Sequence, residues 1–105
     1  GKNAEENVEY FYRYIAMQTF SDAVRDIVRT IPKGKTMTYK QVATRAGNAN
    51  AARAVGAIMR TNFDETIPCH RVVKSDGTLG SYNRGGRNRK YEILKGEGVA
   101  LVSTD

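Results

Sequence analysis

The sequence predicts a mainly α-helical fold: one small domain built on a helix-turn-helix, with a single short extended segment holding its most reactive residues. Three observations point there. Apolar residues recur at helical spacing through the first third of the chain. Two short helical stretches between Thr38 and Arg60 are joined by a glycine-containing turn. The stretch "TIPCHRVVKSDGTLGSY", Thr66 to Tyr82, then breaks the helical pattern and places the only cysteine beside the only histidine. A chain of 105 residues is close to the common size for one hydrophobic core, so 1–105 is read as one domain.

In chain order, residues 3–18 form an amphipathic helix with Val8, Phe11, Tyr12 and Ile15 on one face. A second helix follows, with Thr19 or Ser21 as N-cap and Phe20, Val24, Ile27, Val28 and Ile31 on its buried side. Pro32 stops it, and Lys33-Gly34-Lys35 turns the chain. Thr38 caps a short helix that ends at Gly47, a residue suited to a left-handed terminus. Asn50 caps the next helix, which runs to Arg60. That helix is slender, since Ala51, Ala52, Ala54, Gly56 and Ala57 carry little side chain, and Arg53 and Arg60 are its only charges. A glycine inside a helix costs ~1 kcal/mol relative to alanine, which suggests close approach to another surface. Residues Ile67 to Val73 enter an extended segment, and Asp76-Gly77 turns it. Helix returns from Arg87 to Lys95, with Tyr91, Ile93 and Leu94 for packing, and a short apolar tail runs from Val99 to Val102.

Charge divides the chain. Residues 1–28 carry three basic and five acidic side chains, whereas 29–95 carry fourteen basic and four acidic. The basic excess coincides with the unusual motifs, as expected for a polyanionic partner such as nucleic acid. No apolar run approaches the ~20 residues of a membrane span. One cysteine cannot form an internal disulfide, which fits a reducing, intracellular setting. One cysteine with one histidine falls short of the usual ligand set of a zinc site, so no metal is expected.

A thiolate is the reactive form of cysteine, and an adjacent imidazole favours it. Neighbouring residues in an extended segment point to opposite faces, so His70 acts on Cys69 across a bend or through a water. A histidine in this role needs an acceptor on its other nitrogen. Glu97, Asp76 and Asp64 are the candidates, and spacing does not choose among them.

"IPCHRVV" resembles the active-site motif of the O6-alkylguanine-DNA alkyltransferases, DNA repair proteins that take an alkyl group from guanine onto cysteine. "TYKQVA", "ARAVGAIMRTN", "IPCHRVVKSDGTLGSY" and "KYEILKGEG" follow in the family's order, over about Phe20 to Val99. The resemblance implies single-use alkyl transfer without cofactor, on minor-groove-bound double-stranded DNA whose damaged base is flipped out. Cys69 would be the acceptor, His70 its base through a water, and Glu97 the group orienting His70. Asn62 would tie the recognition helix to the cysteine loop, and Tyr82 would support the departing guanine. Arg53 would fill the gap in the base stack, Tyr39 would help rotate the nucleotide out, and Met59 would line the guanine pocket. Ala52, Gly56 and Arg60 would lie against DNA, and the carbonyls of Cys69 and Val72 would read the guanine amino group.

The chain departs from the family's pattern in three places. Residues 1–18 supply at most one extra helix where two-domain members carry an N-terminal domain. A proline is missing after Asn62. The loop "GSYNRGG" gains Arg84, which bears on the range of alkyl groups accepted. A rival within the resemblance is the alkyltransferase-like proteins, which bind alkylated DNA without chemistry and typically carry tryptophan or alanine where this chain has Cys69. Either way the expectation is a monomer, cytoplasmic in a prokaryote or nuclear in a eukaryote.

Overall fold

The computed structural model describes residues 4–101, and side chains from Val8 onward. Asn3 and Val102, at the edges of two predicted elements, lie outside the described residues. In chain order the elements are helix α1 (Ala4–Arg29), strand β1 (Met37–Thr38), α2 (Tyr39–Arg45), α3 (Ala52–Arg60), β2 (Val72–Val73) and α4 (Gly86–Gly96).

The two predicted N-terminal helices are one. No glycine or proline interrupts residues 4–29, and Thr19 sits mid-helix with its hydroxyl donating back to the Ile15 carbonyl at 2.8 Å. Neither Thr19 nor Ser21 therefore caps a helix start. The C-terminal half of α1 packs as expected, with Val24 and Val28 fully buried. Such burial contributes ~1.5–3 kcal/mol for each side chain. The N-terminal half behaves differently. Val8, Phe11, Tyr12 and Ile15 are 49%, 60%, 66% and 43% exposed, so the predicted apolar face is uncovered among the described residues. A 26-residue helix is longer than the body it leaves, and the molecule measures 55 × 24 × 22 Å.

Thr38 caps α2 as expected, in a reciprocal arrangement. Its Oγ1 accepts from the Gln41 N–H at 3.0 Å, and its own N–H donates to Gln41 Oε1 at 2.8 Å. Gly47, at φ +100°, ends the α2 region, and the Asn48 N–H closes back onto the Ala43 carbonyl at 2.9 Å. The cap predicted at Asn50 is not made. Ala51 occupies the N-cap of α3 without a side-chain bond, while Asn48 Oδ1 accepts from the Asn50 N–H at 3.1 Å. The turn of the helix-turn-helix is thus organised by Asn48.

The short strands pair in parallel, Met37 with Val72 and Thr38 with Val73. This pairing sets Tyr39, the first residue of α2, beside the segment that follows Cys69. One core joins Val24, Val28, Ile31, Met37, Val42, Val55, Met59, Ile67, Cys69 and Val72. In α4, Leu94 is buried but Tyr91 and Ile93 are only half-buried. The position one turn before Leu94 on the same face is Lys90, which is 0% exposed.

Candidate active site and nucleic-acid cleft

Cys69 opens a single 3-10 turn, Cys69–Arg71, and β2 begins only at Val72. The turn is tied by the Cys69 N–H to the Ile67 carbonyl at 2.8 Å and by the Arg71 N–H to the Pro68 carbonyl at 2.9 Å. The strict alternation expected for an extended segment therefore fails at Cys69 and His70. Cys69 is 6% exposed and belongs to the core.

Of the three acids that sequence left open, Glu97 is the partner of His70. Nε2 lies 3.1 and 3.2 Å from the two Glu97 oxygens. Asp64 and Asp76 are each turned inward on their own loops, accepting from Thr66 and Thr78. Arg71 also grips Glu97 in a fork, Nε to Oε1 at 3.0 Å and Nη2 to Oε2 at 2.8 Å, while its Nη1 donates to the Ile31 carbonyl at 2.8 Å. The Arg71 hydrogen bonds, helped by His70, hold the Glu97 carboxyl below its ordinary value, so it is a carboxylate at neutral pH. An ionised carboxylate only accepts, so Nε2 must carry the ring proton and Nδ1 is left as a free acceptor. Burial pulls the His70 pKa down more strongly than Glu97 raises it, so the imidazole is neutral at pH 7. This is the protonation state that a base requires.

The remaining predicted residues converge around two neighbouring cavities that share Tyr39, Gly56, Arg60 and Ser81 in their linings. The outer one, about 580 Å³, is lined by Tyr39, Lys40, Ala52, Arg53, Gly56, Arg60 and Lys74, with Asp76 the one acid on its wall. The inner one, about 10 Å³, is bounded by Tyr39, Gly56, Met59, Arg60, Cys69, Ser81, Tyr82 and Asn83. A Cβ at Gly56 would sit 4.0 Å from the Tyr39 ring, an ordinary contact, so helix packing does not require the glycine. Gly56 lines both cavities. Gly80 is required: its φ is +78°, and a Cβ there would come within 3.1 Å of the Tyr39 hydroxyl. Burial, then electrostatic interaction with Cys69, raises the pKa of Tyr82, which keeps its proton and can donate it.

Asn62, 6% exposed, occupies the neck between α3 and the cysteine turn, with Nδ2 on the Asp64 and Ile67 carbonyls at 3.3 and 3.5 Å. Val72 does not line either cavity. Its side chain is fully buried in the core, and its carbonyl accepts from Lys90 Nζ at 2.7 Å. One of that carbonyl's two lone pairs is thus occupied by a lysine, and the other is left for a further donor.

Sequence reasoning missed Lys90, which ties together the segments on either side of the cysteine turn and the Tyr82 loop. Its Nζ also donates to the Leu79 and Ser81 carbonyls, at 2.6 and 3.3 Å, and lies 5.7 Å from the centre of the Tyr39 ring. Burial lowers its pKa from 10.5 to about 8, against an opposing electrostatic interaction with Cys69. The spacing of Lys90 to Leu94, one helical turn, was the available signal.

The chain resembles known proteins over the region that builds this site. The DNA-binding domain of 6-O-methylguanine DNA methyltransferase matches residues 19–99. A methylated-DNA–protein-cysteine methyltransferase of Methanothermobacter thermautotrophicus is 49% identical over 78 residues, 74% of this chain and 43% of its own length. The protein of the same name from Mus musculus is 47% identical over 74 residues, 70% of this chain and 35% of its own. The chain therefore spans less than half the length of these relatives. Among solved structures, S. pombe Atl1 in complex with DNA containing O6-carboxymethylguanine superposes with a TM-score of 0.72 at 35% identity, covering 82% of both chains. Mycobacterium tuberculosis OGT in complex with DNA gives a TM-score of 0.70 at 40% identity, over 74% of this chain and 48% of that one. Matched over residues 19–99, which include Cys69, His70 and Glu97, the chain belongs to the family of the 6-O-methylguanine DNA methyltransferase DNA-binding domain.

Proposed function

We propose that this protein repairs DNA by transferring an alkyl group from O6-alkylguanine to Cys69, each molecule acting once. The observation that carries the reading is Cys69 at the end of a basic cleft, beside a neutral histidine locked by Glu97. The O6 atom is out of reach in an intact stack, so the base must be flipped into the cleft, at a cost of a few kcal/mol. Arg53, exposed on α3 at the cleft mouth, fills the vacated place in a minor groove. Lys40, Arg60 and Lys74 supply positive charge for the backbone.

The thiol proton passes through a water to His70 Nδ1. Sulfur then attacks the alkyl carbon, the carbon–O6 bond breaks, and its electron pair stays on guanine. Tyr82 donates a proton to the guanine and recovers one, through solvent, from the His70 imidazolium. The product thioether has no ready hydrolysis route, so the protein does not turn over. No cofactor enters this sequence. The place of action is wherever the DNA lies, the cytoplasm of a prokaryote or the nucleus of a eukaryote.

The test is an intact-mass measurement after incubation with a duplex containing O6-methylguanine. A methyl-sized gain that maps to Cys69 is expected. Tight binding of the damaged duplex without any gain would instead support the second reading, a non-enzymatic sensor. That reading is favoured by one observation, the superposition on S. pombe Atl1 in complex with damaged DNA, with a TM-score of 0.72.

Arg53→Ala separates extrusion from chemistry. The variant should react with the duplex at least about tenfold more slowly, a fraction of the flipping cost. Its rate with free O6-methylguanine base, which needs no flipping, should change little. Equal losses on both substrates would place Arg53 in the reaction pocket instead of the base stack.

A further inference from the structure

The N-terminal half of α1 leaves the body of the molecule and keeps an apolar stripe in water. Val8, Phe11, Tyr12 and Ile15 share one face, each between 43% and 66% exposed. At 3.6 residues per turn this stripe points roughly opposite to Val24 and Val28, the residues that seat the same helix on the core. The body of its own chain therefore does not cover it. Beyond Ile15 the face turns polar, at Thr19, Asp22 and Asp26, all exposed. We propose that the stripe is a contact between two copies of this chain, whose α1 helices pair antiparallel about a two-fold axis between residues 11 and 12.

A two-fold contact must match a surface with itself. In this register Val8 lies level with Ile15 of the second copy, and Phe11 with Tyr12 of the second copy. Each aliphatic side chain meets an aliphatic one and each ring meets a ring. Phe11 and Tyr12 already stand edge to face within one chain, their centroids 6.0 Å apart, an arrangement that ring pairs prefer.

Charge selects the same direction. Residues 29–95 carry fourteen basic and four acidic side chains. Parallel helices, ~8–10 Å apart, would set two such basic bodies level with each other. Antiparallel helices set the packed stretches, residues 20–29, at opposite ends, about 40 Å apart along the axis at ~1.5 Å per residue. That is several times the screening length of about 8–10 Å. Glu9 likewise lies level with Tyr14 of the second copy instead of with another Glu9. Neither cavity is lined by a residue of α1, so both clefts of the pair stay open to DNA.

Size sets the strength. An aromatic side chain can bury ~150–250 Å², of which Phe11 and Tyr12 leave 60% and 66% exposed. With Val8 and Ile15 added, the stripe offers roughly 400 Å² per copy, or roughly 800 Å² per pair. This is below the ~1,200 Å² of stable complexes, so pairing is reversible and sets in at micromolar concentration. The helix gains by it. A free helix of ~12–15 residues is marginal in water, and the exposed ion pair of Arg13 with Glu9, at 2.6 Å, adds little.

The experiment is sedimentation equilibrium from about 5 to about 500 µM, with far-ultraviolet circular dichroism over the same range. The wild type should show a reversible monomer–dimer equilibrium, and its helix content should rise with the dimer. Phe11→Glu and Ile15→Glu should each weaken pairing at least about tenfold. Both positions are exposed in the single chain, so the melting temperature and methyl transfer of the dilute variants should match wild type. Met17→Glu is the control: Met17 is 70% exposed but points roughly opposite to the stripe, so this variant should still pair. A wild type that stays monomeric at about 500 µM, or that forms open-ended aggregates in place of a dimer, would overturn the proposal. So would a Met17→Glu protein that loses pairing as fully as Phe11→Glu. The outcome does not depend on whether Cys69 accepts an alkyl group.

Discussion

Glu97→Gln is expected to slow methyl transfer by about 10²–10⁴-fold while leaving damaged-duplex binding close to wild type. Glu97 makes no contact with the cleft; it acts through His70, accepting Nε2–H on two oxygens at 3.1 and 3.2 Å. Glutamine keeps the shape but offers one acceptor and one donor. Its NH₂ group can donate to Nε2, which moves the ring proton to Nδ1, the nitrogen needed as base. Arg71, whose fork is also drawn to the carboxylate, would favour glutamine's remaining oxygen and turn the NH₂ toward the histidine. Two pH measurements accompany the rate. In the wild type, transfer should fall on acidification, with a midpoint below the ordinary histidine value of 6.5, as His70 takes a proton it binds less readily folded than unfolded. The Glu97 carboxyl is likewise held low, so its stabilisation is present above its unfolded value of ~4.3 and is lost as pH falls through the lower folded value. The variant should lack that acid-limb loss in its melting profile. A Glu97→Gln protein that transfers methyl at the wild-type rate would remove the orienting role.

Much of the site was legible because each element carries its own local chemistry. Thr38 and Gln41 form a capping box from four consecutive residues, and Gly47 marks a left-handed terminus by its identity alone. Cys69, His70 and the order of blocks pointed to alkyl transfer before any geometry. What sequence left open was long-range. Glu97 is 27 residues from His70, and only folding decides between it and two acids that turn out to serve Thr66 and Thr78. Arg71 was passed over for the same reason, since its partners are Glu97 and the Ile31 carbonyl, 40 residues away.

The errors in the fold have local causes too. Thr19 and Ser21 resemble N-caps, but a hydroxyl can equally bond a carbonyl one turn back, and Thr19 does so within an unbroken α1. Asn50 and Asn48 are equivalent on composition, and the turn selects Asn48 because its side chain reaches two residues forward. The pairing of β1 with β2 spans a separation too long for two-residue strands to announce. Lys90 was hidden by its own charge, because lysine is almost never fully buried.

Lys90→Met is expected to lower the melting temperature by at least about 12 °C at pH 7.5. Methionine fills the space of the aliphatic stem but brings no donor. Three carbonyls then lose their partner: Val72 and Leu79, bonded at 2.7 and 2.6 Å, and Ser81 at 3.3 Å. Hydrogen bonds to a charged group contribute ~1.5–3 kcal/mol each after desolvation, so the two short ones alone amount to roughly 3 kcal/mol or more. For a domain of this size each 1 kcal/mol corresponds to ~4–8 °C. The pH dependence distinguishes this from a packing defect. The Lys90 pKa is about 8 in the fold against 10.5 as the ordinary value. Burial of the charged form therefore disfavours the folded state below pH 8, and that penalty is relieved as pH rises from about 8 to 10.5. Methionine has no such gain, so the gap between wild type and variant should widen between pH 7.5 and 10. A melting temperature within about 4 °C of wild type at pH 7.5 would show that the Val72 and Leu79 carbonyls do not depend on Lys90. A gap that narrows as the pH is raised would show that burial does not depress this lysine.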